Sequence, residues 1–99
     1  MAYEKLELLI NGKWTQGTSD KSQDVINPAT EEVLGTLPHA STADLDAALA
    51  SADSGFQIWR ATSPFARQAI MNKAADLMEE RKAAIAVNIS SDMGKPAGE

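Results

Sequence analysis

The stretch Asp92-Met93-Gly94-Lys95-Pro96 is where residue types and spacing come closest to chemistry. Gly94-Lys95 resembles the tail of a phosphate loop. That loop also needs a glycine five positions before Gly94 and a Ser or Thr after Lys95. Those positions hold Ile89 and Pro96, so no phosphate cradle is formed. The G-x-G-x-x-G dinucleotide fingerprint is also absent. The chain has no cysteine, which removes thiolate nucleophiles and disulfides. His39 is the only histidine. It follows Pro38 in a turn and reads as a surface or capping residue, not a general base. No serine sits in a nucleophile elbow. No catalytic and no cofactor-binding residue is assigned to this chain.

The carboxylates offer one further chemistry, cation binding. Asp44 and Asp46 are two apart on a helix and point in different directions. Glu79-Glu80 reads as a solvated helix end. Asp92 differs, because it stands at a helix terminus beside Gly94. An acid there faces the negative end of the helix dipole, unfavourable by about 0.3–1 kcal/mol. A nearby cation would relieve that cost.

These residues need elements to position them. Leu8-Leu9-Ile10 and Lys13-Trp14-Thr15 flank Asn11-Gly12, a two-residue hairpin signal because both turn positions want positive φ. Gly17 to Asp20 is a loop by composition. Gln23 to Ile26 reads as a strand ended by Asn27-Pro28. Val33 to Leu37 reads as another, closed by Pro38. Then the period changes. Ser41 is a helix N-cap with Asp44 at N3. Leu45, Ala48, Leu49, Ala52, Phe56 and Trp59 form one apolar stripe. Ser63 and Pro64 restart a helix as N-cap and N1. Its stripe is Ala66, Ile70, Ala74, Leu77 and Met78, running to about Arg81. Ile85, Ala86 and Ile89 continue an apolar face to about Ser91, as a second helix or a kinked continuation. Gly94 is the C-cap, and Pro96 prevents resumption.

Composition bounds the function classes. A net charge of -5 with nine scattered basic residues and a pI of 4.7 exclude the basic stripe that nucleic acid needs. The same acidity disfavours anionic membranes. No stretch approaches the roughly 20 apolar residues of a membrane span. The start Met1-Ala2-Tyr3-Glu4-Lys5 lacks a basic n-region and apolar stretch, so a cytoplasmic protein is expected. Asn88-Ile89-Ser90 fits a glycosylation sequon, which has no meaning in that compartment. The chain is 99 residues with 43% hydrophobic content, much of it alanine. Two hydrophobic clusters are expected instead of a deep core, and the isolated chain should be less stable than a natural domain of its size.

Five segments, in order and covering nearly the whole chain, resemble one family. Leu9-Ile10-Asn11-Gly12-Lys13-Trp14 resembles the opening "INGxW" of the NAD(P)-dependent aldehyde dehydrogenases. Val25-Ile26-Asn27-Pro28-Ala29-Thr30-Glu31-Glu32-Val33-Leu34-Gly35 resembles their "NPATGEVIG" turn. Phe56-Gln57-Ile58-Trp59, followed by Ser63-Pro64, resembles "AFxxW" and the next helix start. Ala74 to Arg81 resembles "ADLIEER". Asp92-Met93-Gly94-Lys95-Pro96 resembles "E/D-x-GKP". Glu31-Glu32 departs from the family's Gly-Glu, and Ser90-Ser91 from its "LExG" form. The general look is similar to bacterial succinate-semialdehyde-type members.

The resemblance implies an α/β family fold. This segment would be its N-terminal β-hairpin and strand region followed by two or three amphipathic helices, an incomplete part of a Rossmann-like cofactor domain. Residues 1–40 would supply strands and turns, and 41–93 the helices. Family members oxidise an aldehyde to an acid. A cysteine thiolate attacks the carbonyl, hydride passes to NAD or NADP, and water cleaves the thioester. The cysteine and the glutamate base lie beyond the family's leading segment, so this chain would be inactive alone. Its partners would be the remainder of the enzyme chain and further copies in a homo-oligomer. Some members hold a sodium or potassium ion between backbone carbonyls before the "NP" turn and the acid before "GKP". Carried over, those residues are Val25, Ile26 and Asp92. The competing expectation is a non-catalytic, truncated interaction module that pairs through its hairpin edge or apolar helix faces.

Overall fold

The computed structural model describes residues 3–99. Met1 and Ala2, part of the start read above for a leader, lie outside the described residues. Strands β1 (Leu8–Ile10) and β2 (Lys13–Thr15) pair antiparallel, with Ile10 opposite Lys13. Asn11 and Gly12 take φ of 52° and 72°, the positive pair that lets a two-residue turn match the strand twist. Strands β3 (Ser22–Ile26) and β4 (Val33–Pro38) form a second antiparallel hairpin. Val25 faces Gly35 and Ile26 faces Val33, so Leu34 is an extra residue on β4. Such a bulge bends the strand and tightens its twist. Pro38 closes β4 opposite Ser22, a terminal position where its missing N–H is harmless. The two hairpins are separate two-stranded sheets.

Three helices follow. α1 (Thr42–Ala61) begins at a complete capping box: the Asp44 amide donates to Ser41 Oγ and the Ser41 amide to the Asp44 carboxylate. α2 (Pro64–Glu80) starts with Ser63 accepting from the Ala66 amide and proline at N1. Arg81, at φ −101° and ψ 9°, separates it from α3 (Lys82–Met93). The charged run 79–82 therefore marks a break between two helices and not a kink within one. Gly94 caps α3 at φ 77°, its amide returning to the Ser90 carbonyl, as a left-handed cap does.

Packing is shallow. α1 lies against β1, and α2 against α3. Apart from Pro38, no apolar side chain among the described residues is buried. The hydrophobic clusters expected from composition are thus present as faces and not as interiors. Leu45, Leu49 and Phe56 of the α1 stripe, Ile70 and Met78 of α2, and Ile89 of α3 all stand exposed. The molecule measures 47 × 37 × 16 Å. A helix with its side chains is about 10–12 Å across, so the slab is little more than one layer deep. Its radius of gyration, 16.9 Å, exceeds the ~13 Å of a compact domain of this length.

Candidate functional site

The end of α3 is the first of two polar centres. The last turn of α3 carries no basic residue, so its exposed carbonyls and Asp92 add negative potential with no cation in that turn. The one ion pair among the described residues is Lys82 with Glu79, on exposed surface. Asp92 Oδ1 accepts a hydrogen bond from the Tyr3 hydroxyl at 2.6 Å. Hydrogen bonding to the carboxylate holds the Tyr3 proton and raises its pKa, with lesser help from desolvation and from the Asp92 charge. The Tyr3 ring leans on Gly35. A Cβ there would lie 3.5 Å from Tyr3 Cδ1 and 3.4 Å from Leu6 Cδ1.

Gly35 is the strand partner of Val25. So Val25, named from sequence, is linked to Asp92 through two residues that sequence reasoning had not singled out, Gly35 and Tyr3. Ile26 follows across the bulge, opposite Val33. Beyond it, Asn27 organises the turn: its Oδ1 accepts from the Ala29 and Thr30 amides, and its own amide donates to the Glu32 carbonyl. Glu31 then takes φ 64°. The glutamate-for-glycine departure noted in the sequence falls on a left-handed position. There an L side chain costs about 1–2 kcal/mol.

The second centre is Asp44, only 7% exposed. Its Oδ2 accepts from the Ser41 amide at 2.8 Å and from the Thr18 amide at 2.9 Å. Its Oδ1 accepts from the Thr18 hydroxyl at 3.1 Å. Thr18 Oγ1 and Ser41 Oγ are 2.6 Å apart. Proton counting orders the ring: with the Thr18 hydroxyl given to Asp44, the Ser41 hydroxyl donates to Thr18. The Thr18 and Ser41 amides, in that order, lower the Asp44 pKa to about 2 against the opposing effect of burial. Gly17 makes room for this contact, since a Cβ there would sit 2.7 Å from Asp44 Oδ2 at φ 76°. Every polar atom of the cluster is used within the chain, so it locks structure and presents nothing to a ligand.

Among the described residues no nucleophile is paired with a general base. His39 Nε2 lies 3.3 Å from Gln23 Oε1 and its amide donates to the Lys21 carbonyl at the end of the β3–β4 hairpin. Among the described residues no three His, Asp or Glu side chains cluster as metal ligands. At the α1–α2 corner, Arg67 donates to the Thr62 and Arg60 carbonyls and lies 5.6 Å from the Trp59 ring centre. It closes the end of α1 and is structural.

A one-layer slab of hairpins and amphipathic helices is a building block of a larger α/β protein. The chain belongs to the aldehyde dehydrogenase family, whose model matches residues 14–99. It is 40% identical over 90 residues to the human mitochondrial methylmalonate-semialdehyde/malonate-semialdehyde dehydrogenase (acylating), covering 91% of this chain and 17% of that enzyme. The fold superposes on an aldehyde dehydrogenase of Bartonella henselae with a TM-score of 0.89 at 35% identity, covering 95% of this chain and 20% of the other. It also superposes on the NADP-dependent glyceraldehyde-3-phosphate dehydrogenase of Bacillus halodurans, a complex with NADP, at 0.91 and 27% identity, covering 96% and 20%. The chain thus spans about a fifth of the length of these relatives. No helix among the described residues is long and apolar enough to cross a membrane.

Proposed function

We propose that this chain is the amino-terminal part, residues 1–99, of the cofactor-binding domain of a cytoplasmic, homo-oligomeric NAD(P)-dependent aldehyde dehydrogenase. Residues 1–40 supply its strands and turns, and 41–93 its helical cover. The enzyme as a whole oxidises an aldehyde to a carboxylic acid with NAD(P) as hydride acceptor. This segment contributes cover and positioning, with no catalytic or cofactor-binding side chain of its own.

One observation carries the reading. A slab that buries no apolar side chain but Pro38 yet keeps intact caps and turns is half of a two-layer packing. The other half is the body of the enzyme. The matched relatives are about five times longer, which leaves room for it.

Val25, Ile26 and Asp92 fit a sodium or potassium ion in that enzyme. Backbone oxygens with one carboxylate form a hard donor set. The α3 terminus adds negative potential, and the Tyr3–Gly35 contact ties Asp92 to β4, directly opposite Val25 in the β3–β4 hairpin. The carbonyls of Val25 and Ile26 and the Asp92 carboxylate would hold the ion. Its charge would offset the acid at the helix end.

The test is complementation. The 99-residue chain alone should form no NAD(P)H from aldehydes. Joined to a polypeptide supplying the rest of such an enzyme, it should restore that activity. Aldehyde-dependent NAD(P)H formation by the purified chain alone would sink the proposal. Fractionation and sedimentation of the intact enzyme check the compartment and the subunit number.

A further inference from the structure

We infer that Tyr3 is a positioning residue for the Asp92 carboxylate, and that it tunes the cation affinity of the site formed with Val25 and Ile26. The inference rests on the cation reading above and adds a residue to it. The geometry is specific. Tyr3 reaches Asp92 across 89 positions of sequence, with a 2.6 Å hydrogen bond. A hydroxyl at that distance from a carboxylate is a charge-assisted bond, shorter and stronger than a neutral one.

The ring is held as well as its tip. Gly35, having no Cβ, leaves the space that Tyr3 Cδ1 and Leu6 Cδ1 approach. Gly35 is also the register partner of Val25, one residue before the step where β4 carries its extra residue. The arm containing Tyr3 and Leu6 therefore crosses the β3–β4 hairpin beside a candidate carbonyl ligand and ends on the candidate carboxylate.

The hydroxyl takes one acceptor position of Oδ1 and leaves the other carboxylate oxygen without a bond from the described residues. A carboxylate presented in this way favours one-oxygen coordination over a chelating grip. Without Tyr3, Asp92 stands on an exposed last helical turn with no other side-chain bond among the described residues to hold its rotamer. Partners of this kind typically change metal affinity by about 10–100-fold when removed.

The test uses the intact enzyme and three forms: unaltered, Tyr3→Phe and Asp92→Asn. Thermal midpoints are followed in titrations of NaCl and KCl against tetramethylammonium chloride at constant ionic strength. Phenylalanine keeps the ring on Gly35, so any structural loss appears equally in tetramethylammonium and leaves the concentration dependence untouched. The expected result is an alkali-cation-dependent rise in the unaltered enzyme. Asp92→Asn should abolish it, and Tyr3→Phe should need roughly 10-fold more cation. If Tyr3→Phe follows the unaltered titration while Asp92→Asn loses the response, the role of Tyr3 is overturned and the cation site stands. If the unaltered enzyme shows no preference for alkali cations over tetramethylammonium, the cation reading falls and takes this inference with it.

Discussion

The Asp44 latch and the α2–α3 face sit in one small chain and are finished to different degrees. Around Asp44 the donors and acceptors are partnered within the chain, and the residue is 7% exposed. Along α2 and α3 the outer ends are capped by Ser63 and Gly94, but Met78 stays 62% exposed and Ile89 43%. The difference is one of supply. Polar satisfaction at a helix start needs a few atoms, and a neighbouring loop provides them. Apolar burial needs area, and a slab 16 Å thick has none to spare. A helical face like that of α2 is stable only when another layer covers it.

The strongest way to break this contrast is Ile85→Asp on the open face. In the 99-residue chain Ile85 is already 37% exposed, so circular dichroism and melting should change little. In the intact enzyme the same change should destabilise by about 3 kcal/mol or more, because a charge would enter a covered interface. Equal, small effects in both settings would mean that this face stays open in the enzyme.

Gly17→Ala attacks the latch. The added Cβ would meet Asp44 Oδ2 at 2.7 Å and Leu8 Cδ1 at 2.9 Å, at φ 76°. A loss of about 2–3 kcal/mol is expected from overpacking and the left-handed backbone together. Denaturant unfolding should show it both in the short chain and in the enzyme, unlike the Ile85 change.

Acid probes the same centre without mutation. Asp44 has its pKa lowered from 3.8 to about 2 in the folded state. Its contribution is therefore complete above pH 3.8 and disappears as pH falls through 2. Stability measured against pH should carry a component in that window that Asp44→Asn removes. A profile unchanged by Asp44→Asn would show that the latch contributes nothing to folding.

Glu31→Gly should give the smallest effect and the opposite sign. Relief of φ 64°, offset by the greater freedom of glycine when unfolded, leaves a gain of about 0.5–1 kcal/mol. A rise in the thermal midpoint checks it. No gain would mean that the Glu31 side chain repays its strained backbone.

Local features were legible because their causes are local. Asn11-Gly12 implies its hairpin through φ alone. Ser41 with Asp44, Ser63 with Pro64, and Gly94 each carry their helix boundary in adjacent residues. The β3 start at Ser22 and the α3 end at Met93 differ from expectation by one or two residues, as fraying ends do. The candidate site was legible only through its resemblance to a family pattern, which names Val25, Ile26 and Asp92 but not what connects them. Thr18 lies 26 positions from Asp44 and Tyr3 lies 89 from Asp92. No periodicity or cap rule reaches so far. Glu31 shows the intermediate case, where the departure from glycine was visible but its backbone consequence was not.

By itself, then, the sequence determined the order of strands and helices, their caps, the absence of a cysteine nucleophile and the family. These follow from φ preferences, side-chain spacing and residue identity, which act over a few positions. Only the tertiary structure decided that Asp44 would be the buried charge, that Tyr3 would hold Asp92 against the β3–β4 hairpin, and that the apolar stripes would lie open on a single layer. Those outcomes depend on which distant groups meet in space, and on how much surface this chain has to cover itself.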